Sequence, residues 1–462
     1  MPSWCGQSFQ HCISNLIWTF PHTATTHDVT QDIYADSLPT SGNISDPRPS
    51  PTAADMNPSQ VTVVPSGGDD QPNLQAAVNS LTSGGTVVLS SGTYQLKQTW
   101  KIPGTSPTSL INITGTGGVD LRPFSATTPP DDGLIRIERN WGYKVEGLQL
   151  IGGGSGIGLW LASETDSGTQ GGQAVIERVS VSGFSSGFRL GTSNKIATSE
   201  LIFSACKATN CDIGMELLDF NTLDVLLNMW SMGLCRVGVF TSSAGDVHVV
   251  GGSASSNKTD FELDTGGTFS VNKFRSEGVM AQFLHSGATT ARTNILLESC
   301  EVMGPADPAT NPVIVCAGGN ALTTISCFLS GFILWGQSPT HLPQPPNGTI
   351  TMISTFVQDG PKDAPHQPFR VDPPNSSNAP YRIFGCSWRG LENGDANTDG
   401  WFPDQTGVIK DAQLVPTWQA DTTGTFTLAN RPVVQGSWAD GSAGKSLCAA
   451  LATLGLIVNE TT

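Results

Sequence analysis

Two glutamates 24 residues apart, Glu277 and Glu301, have the spacing in this chain that best suits catalysis. Strand-like segments in the same region begin every 23 or 24 residues, so residues one period apart are expected at equivalent positions of neighbouring layers. Backbones of neighbouring strands lie about 4.8 Å apart. Two carboxylates that close raise each other's proton affinity, which suits an acid paired with a nucleophile or a base.

Such a pair fits the hydrolysis of a glycosidic bond. Retaining glycosidases hold their two carboxyl groups about 5–5.5 Å apart and inverting ones about 6.5–9.5 Å, and one layer of spacing is closer to the first. Arg275, two residues before Glu277, would offer paired hydrogen bonds to the carboxylate of an acidic sugar. The alternative is that both glutamates are solvated turn residues.

Three other side chains are candidates for contact with a substrate. Asp246 and His248 lie two apart on one strand-like segment, so they face the same side and could transfer a proton. The alternative is a structural histidine among valines. Trp230 is placed to stack on a sugar ring, and packing in the core is the alternative interpretation.

One acidic segment has the spacing of a metal site. Asp395, Asn397 and Asp399, followed by Gly400, match the first half of a calcium-binding loop. The twelfth position of that loop would be Thr406 in place of the usual glutamate, and an Asx-rich turn is the alternative. The sequence therefore requires no cofactor and suggests one structural Ca²⁺ ion.

The elements that must position these residues form a repeat. Helical repeats would need longer amphipathic segments, and the consensus of leucine-rich repeats is absent, so a parallel β-helix remains and the chain is predicted to be all-β. The strand-like segments begin at Val175, Ser199, Thr222, Gly245, Phe269 and Thr293.

Residues 69–96 predict how the repeat begins. An acidic pair precedes a short helix-like run from Leu74, and Gly84 and Gly85 break it before a strand-like segment. A Gly-Thr-Tyr triplet follows at 92–94. A helix of this kind covers the open end of a stack of strands, whose backbone groups would otherwise pair with another chain.

These residues resemble the opening of the pectate-lyase-like, glycoside-hydrolase-related parallel β-helix proteins, and the resemblance implies a right-handed β-helix. The Arg-Ser-Glu-Gly segment at 275–278 is similar to one that recurs in that family. The Asn-Thr-Asp-Gly segment at 397–400 resembles a polygalacturonase motif. The later motifs that polygalacturonases need do not follow, so the resemblance does not extend to their chemistry at Asp399.

Three regions are predicted along the chain. Residues 1–60 form an N-terminal attachment or linker segment, 61–404 the parallel β-helix with its cap, and 405–462 a strand and helix segment for oligomerisation. The apolar helix predicted at 446–457 and the Thr-rich end resemble the ends of phage tail-fibre and tail-spike proteins. This resemblance implies a homotrimer that attaches to other virion tail proteins through its N-terminal segment.

Composition excludes several classes of partner. The net charge of −16 opposes binding to nucleic acid and to anionic membranes. No run of about 18 apolar residues is present, so membrane insertion is not expected. The ten cysteines include no Cys-x-x-Cys pair, which opposes a zinc site and favours buried free thiols, with a disulfide between Cys211 and Cys235 as an alternative.

These resemblances imply a phage-type tail-spike or tail-fibre protein, located in the virion tail or outside the cell. It would bind and cleave a bacterial surface polysaccharide by glycoside hydrolase-like chemistry. Two alternatives remain: a glycan-binding receptor or structural fibre without catalysis, and a polysaccharide lyase that uses Arg275 or Lys273 as its base.

Overall fold

Short strands, many of them with alternating buried and exposed side chains, make up most of the described chain. The computed structural model describes residues 59–427, with gaps at 104–109, 126–129, 131, 139–141, 162–170, 193–197, 219–223, 243–244, 265, 288–291, 305–310, 317–319, 336–347, 359–368, 372–379, 393–394, 402–404, 411–412 and 421–425. The predicted attachment segment at 1–60 lies almost wholly outside these residues, and the predicted C-terminal helix lies entirely outside them.

The described chain contains one helix, α1 (Gln71–Ser80), and 36 strands. In chain order the strands are β1 (Gln60–Val63), β2 (Gly85–Leu96), β3 (Trp100–Ile102), β4 (Ile111–Pro123), β5 (Ile135–Ile137), β6 (Lys144–Glu146), β7 (Gln149–Ile151), β8 (Ile157–Leu161), β9 (Gly171–Glu177), β10 (Ser180–Ser182), β11 (Ser186–Leu190), β12 (Thr198–Ser204), β13 (Lys207–Thr209), β14 (Ile213–Leu217), β15 (Val225–Gly233), β16 (Val237–Thr241), β17 (Asp246–Ser255), β18 (Thr259–Leu263), β19 (Gly267–Asn272), β20 (Arg275–Glu277), β21 (Gln282–Ser286), β22 (Thr293–Glu298), β23 (Glu301–Val302), β24 (Ile314–Cys316), β25 (Ala321–Ile325), β26 (Phe328–Ser330), β27 (Ile333–Trp335), β28 (Thr349–Ile353), β29 (Phe356–Gln358), β30 (Phe369–Val371), β31 (Pro380–Phe384), β32 (Ser387–Glu392), β33 (Asp395–Trp401), β34 (Gln405–Lys410), β35 (Gln413–Ala420) and β36 (Phe426–Thr427).

The strands belong to two sheets, and the chain passes through both in each coil. The large sheet has 25 strands, and the small sheet has 11, namely β3, β5, β8, β11, β14, β16, β18, β21, β24, β27 and β30. Equivalent strands of successive coils pair in parallel, as Val225 with Val247, Val247 with Phe269 and Phe269 with Ile295. These apolar side chains are buried between the sheets, so the predicted parallel β-helix is confirmed.

The predicted helix at the N-terminal end of the stack is confirmed as α1, which buries Leu74, Ala77 and Val78. Asp70 is fully buried at its start and accepts hydrogen bonds from the backbone N–H groups of Ser66 (2.6 Å) and Gln95 (2.9 Å). The carboxylate therefore joins the start of the helix to strand β2, and its role is structural.

Tyr94 of the Gly-Thr-Tyr triplet anchors the same end of the stack. It is fully buried in β2, and its hydroxyl donates to the carbonyl oxygens of Val63 (2.8 Å) and Ser90 (2.9 Å). Burial, together with the nearby Asp70 carboxylate, raises the pKa of Tyr94 to about 12. The phenol therefore remains a neutral donor that connects strands β1 and β2.

A residue with positive φ bends the large-sheet part of several coils, either between two strands or, at Met229, within strand β15. Met229, Lys273, Ser299 and Ser326 occupy this corner, with φ between 51° and 53°. The residue after each of them is buried. The corner therefore inserts one extra residue into the in–out alternation, and side chains beyond it point the opposite way from what a period of two predicts.

The parallel stacking ends at β32. Strand β33 pairs with β32 in the antiparallel direction, and β34, β35 and β36 continue as antiparallel neighbours. Strand β36 lies within the segment predicted at 405–462. No helix among the described residues is long and apolar enough to cross a membrane.

Candidate functional site

A groove lies on the outer face of the large sheet, where strands β15, β17, β19 and β22 run side by side. Its volume is about 400 Å³. We call it the outer groove. It is lined by nine residues of these four strands and the turn before them: Asp224, Leu226, His248, Val250, Ser270, Val271, Asn272, Leu296 and Glu298.

Parallel register places these side chains in rows along the stack. One row contains Leu226, His248, Ser270 and Leu296, each paired with the next. Within it the His248 Nδ1 atom lies 2.7 Å from the Ser270 hydroxyl, within hydrogen-bond distance. This contact orients the imidazole and leaves its Nε2 atom as the group that can meet a ligand.

The neighbouring row contains Val250, Asn272 and Glu298. The Asn272 side-chain amide donates to the Glu298 Oε2 atom at 2.6 Å. A hydrogen bond to a carboxylate is stronger than one between neutral groups, so this pair is held in place before any ligand arrives. Glu298 retains its second oxygen as an acceptor, and Asn272 retains its carbonyl oxygen.

Apolar side chains alternate with the polar ones along the groove. Leu226 and Leu296 are half-buried, and Val250 is 41% exposed although it belongs to a strand in the middle of the stack. A surface that combines apolar patches with oriented polar groups suits sugar rings, which carry both C–H faces and hydroxyl groups.

The predicted side chains Asp246 and His248 do face the same side of β17. His248 lines the outer groove, whereas Asp246 lies outside its lining and accepts a hydrogen bond from the backbone N–H of Thr268 at 3.2 Å. The structure therefore places one member of the predicted couple in the groove and uses the other to join neighbouring strands.

The predicted alignment of Glu277 with Glu301 is wrong by two residues. Arg275 is the residue paired with Glu301, and Glu277 pairs with Ser255 of the preceding coil. The cause is unequal coil length: Val247 and Phe269 are 22 residues apart, whereas Phe269 and Ile295 are 26 apart.

The two glutamates nevertheless approach each other diagonally through Arg275. Its Nε atom lies 2.8 Å from Glu277 Oε1 and 3.6 Å from Glu301 Oε2, so these two oxygens are at most about 6.4 Å apart. All three side chains are about half exposed. Arg275 is thus already paired with two carboxylates, which competes with the predicted contact to an acidic sugar.

The predicted contact between Trp230 and a sugar is wrong, because Trp230 is fully buried. Its ring packs edge-on against Phe188 (5.3 Å between centroids) and Phe203 (6.2 Å). Trp230 follows the corner residue Met229, and the extra residue at that corner turns the indole inward. The core interpretation of this tryptophan is the correct one.

The segment with the calcium-loop spacing forms strand β33, which pairs with β32. The side chains of Asp395, Asn397 and Asp399 lie outside what the structure describes, and the Ca²⁺ site stays a prediction. Among the described residues, no group of three or more His, Cys, Asp or Glu side chains is arranged to hold a metal ion.

Sequence reasoning missed a pair of stacked carboxylates in an earlier part of the stack. Glu146 and Glu177 are paired in register, and Lys144 Nζ lies 2.7 Å and 2.9 Å from their oxygens. The hydrogen bond from Lys144 holds the pKa of Glu146 below its usual range. Arg178 adds a second cation, so this cluster is a compensated ion network that joins two coils.

Sequence reasoning also missed Glu298, Asn272 and Ser270 as lining residues. All three lie at outward positions of strands whose side chains alternate between buried and outward, and this alternation was the signal available in the sequence. The alternation does not reveal which residues of neighbouring coils are paired, because the 26-residue separation of Asn272 and Glu298 differs from the expected period.

No protein-family model matches this chain, and no curated protein sequence does. Similar solved structures include the A-module of the mannuronan C-5 epimerase AlgE6 from Azotobacter vinelandii, with 13% identity, a TM-score of 0.41 and coverage of 70% of this chain and 96% of that one. PfbA, a surface adhesin of Streptococcus pneumoniae, has 8% identity, a TM-score of 0.46 and coverage of 80% and 98%. The Dettilon tailspike protein has 10% identity, a TM-score of 0.40 and coverage of 64% and 62%. Likeness at this level concerns the fold alone.

Proposed function

We propose that this protein binds a polysaccharide chain along its β-helix, in the outer groove. The observation that carries the proposal is the groove itself, which runs across four consecutive strands of the large sheet. At about 4.8 Å per strand it extends over roughly 14 Å, which accommodates two or three sugar rings.

The chemistry of the lining supports this proposal. Ser270 and His248 form one oriented polar pair and Asn272 and Glu298 another, and apolar side chains separate them. Polar groups that are already oriented lose little entropy when they bind a ligand, so they favour recognition of hydroxyl groups over exposed, unpaired side chains.

The biological setting belongs to the same proposal. The resemblance of the C-terminal sequence to the ends of phage tail proteins supports a homotrimer in a virion tail or outside the cell, with a bacterial surface polysaccharide as ligand. The predicted N-terminal segment at 1–60 would then attach the β-helix to other tail proteins.

The experiment that tests the groove places a bulky side chain inside it. Ser270→Tyr would fill the groove from an outward position of β19, and we expect at least tenfold weaker binding to an array of bacterial surface polysaccharides. Thr323→Tyr is the matched control, because Thr323 lies in the same row two coils further along, outside the groove lining.

Equal loss of binding in both variants would show that the tyrosine acts through folding, and circular dichroism would detect that change. Unchanged binding in a folded Ser270→Tyr protein would refute the groove as the binding site. Absence of binding by the wild-type protein to any polysaccharide would refute the proposal as a whole.

Hydrolysis is a second candidate function, which the approach of Glu277 and Glu301 favours. The two oxygens that contact Arg275 are at most about 6.4 Å apart, which is below the range of about 6.5–9.5 Å between the carboxyl groups of inverting glycosidases. The test follows the chain length of a bound polysaccharide with wild type and with Glu277→Gln combined with Glu301→Gln. Cleavage at full rate by the double variant would exclude these carboxylates.

The same assay distinguishes a lyase from a hydrolase. Elimination leaves a new carbon–carbon double bond that absorbs ultraviolet light, whereas hydrolysis yields reducing ends only. A lyase would need Arg275 or Lys273 as its base, and Arg275 is held between two carboxylates. Binding without any shortening of the chain would favour a receptor or fibre without catalysis.

A further inference from the structure

The outer groove is lined by two carboxyl side chains and one imidazole. Asp224 and Glu298 lie toward its two ends, three strands apart. No lysine or arginine lies among the described residues that line it. A ligand that fills the groove therefore has a carboxylate near each of its ends.

The lining also offers more free hydrogen-bond acceptors than donors. The free oxygens of Glu298, Asp224 and Asn272 are acceptors, whereas the donors that remain are the second amide N–H of Asn272 and, depending on the histidine tautomer, either the Ser270 hydroxyl or the His248 Nε2–H. Hydroxyl and ammonium groups of a sugar satisfy such acceptors. A sugar carboxylate brings only further acceptors and a charge of the same sign.

The nearby cations lie outside the lining of the groove. Lys273 follows Asn272 at the corner of the chain and lies outside the lining, and Arg275 is bound to Glu277 and Glu301. On an earlier part of the same face, Lys144 is bound to two glutamates of its own.

We propose that the outer groove selects polysaccharides without acidic groups and binds free amino sugars more tightly than their N-acetylated forms. This inference rests on the proposed glycan-binding function and specifies its ligand. It is the opposite of the expectation from the sequence, in which Arg275 would bind the carboxylate of an acidic sugar.

The experiment compares chemically matched ligands. Surface polysaccharides that contain uronic acids are used before and after reduction of their carboxyl groups, and those that contain N-acetylhexosamine before and after de-N-acetylation. Exposed charge pairs change affinity only modestly, so we expect about three- to tenfold weaker binding of the uronate forms and a similar gain for the amino forms at low salt. Salt should diminish both differences.

Variants assign the effect to the groove. Glu298→Gln combined with Asp224→Asn should abolish both differences, because each substitution replaces a carboxylate with an uncharged amide of similar size. Glu262→Gln is the control, since it removes a carboxylate from the small sheet, outside the groove. It should leave the preferences unchanged.

Three results would overturn the inference. Uronate forms that bind as tightly as their reduced forms would contradict the charge preference while leaving the proposed binding function intact. An equal effect of Glu262→Gln would attribute the preference to the net charge of the whole protein. Absence of binding to every form would overturn the proposed function itself.

Discussion

Asp260 is a fully buried carboxyl in strand β18, and its titration should be visible in the stability of the protein. Its oxygens accept hydrogen bonds from the side chains of Asn257 and Ser276, and Asn257 in turn accepts the backbone N–H of Cys235 at 2.8 Å. Burial outweighs these hydrogen bonds and raises the pKa of Asp260 from 3.8 to about 7.

The direction of the pH effect follows from this raised pKa. Between about pH 4 and pH 7 the folded chain holds the proton on Asp260 and the unfolded chain has released it, so stability falls as pH rises. Each pH unit in this window corresponds to about 1.4 kcal/mol, which gives a loss of up to about 4 kcal/mol by pH 7 and no further change above it.

The perturbation is Asp260→Asn, which cannot ionise and keeps both side-chain hydrogen bonds, since its amide can donate to Ser276 and its carbonyl can accept from Asn257. We expect the variant to gain stability over wild type by about 1–4 kcal/mol at pH 8 and to lose that advantage at pH 4. The assay is urea unfolding of both proteins at a series of pH values, with the difference between them plotted against pH.

The difference isolates Asp260 from the other acidic residues, because they titrate in both proteins. Asp264→Asn, an identical change of charge at an exposed position, is the matched control. A difference between Asp260→Asn and wild type that stays constant from pH 4 to pH 8 would refute the argument that this carboxyl is neutral in the folded core.

Two further predictions concern stability. Trp230→Ala should lower the free energy of unfolding by about 3–5 kcal/mol in urea titrations, because it empties the site where the indole packs on Phe188 and Phe203, and a loss below about 1 kcal/mol would contradict its burial. Asp70→Ala should cost about 3 kcal/mol by the same measurement, because two partly buried backbone donors lose a charged acceptor, whereas Asp69→Ala, at a partly exposed residue, should cost less.

The parts of the fold that depend on neighbouring residues could be predicted from the sequence. The cap is one of them, since Leu74, Ala77 and Val78 lie on one side of a ten-residue helix and glycines break the helix before β2. The shared side of Asp246 and His248 is another, because a period of two holds within a single strand. Local geometry determines both features.

The inward position of Trp230 could not be predicted from alternation. Counting by two from the buried Leu227 makes the residue at 229 buried and Trp230 exposed, and the structure has the reverse. The positive φ of Met229 adds the extra residue, and methionine is not among the residues that favour this conformation. The backbone adopts it there because the coil must bend to close, which is a tertiary requirement.

Register between coils is the property on which the candidate site depends most, and a uniform period cannot supply it. Coils of 22 and 26 residues have the same mean as two coils of 24, so an average spacing fits the whole region and still misaligns Glu277 with Glu301 by two residues. A better marker was present in the cysteines. Cys300 and Cys327 both follow a serine at the positive-φ corner, and they lie at equivalent positions of adjacent coils.

The same corner aligns the coil before them. Phe274 follows the corner residue Lys273 just as Cys300 follows Ser299, so the next residues, Arg275 and Glu301, must be partners. Corners determine register because the backbone can bend at few places, whereas the length of the loops between strands is free to vary. Aligning the bends, and not the strand starts, therefore predicts that Arg275 lies opposite Glu301 and that Asn272 lies opposite Glu298 in the outer groove.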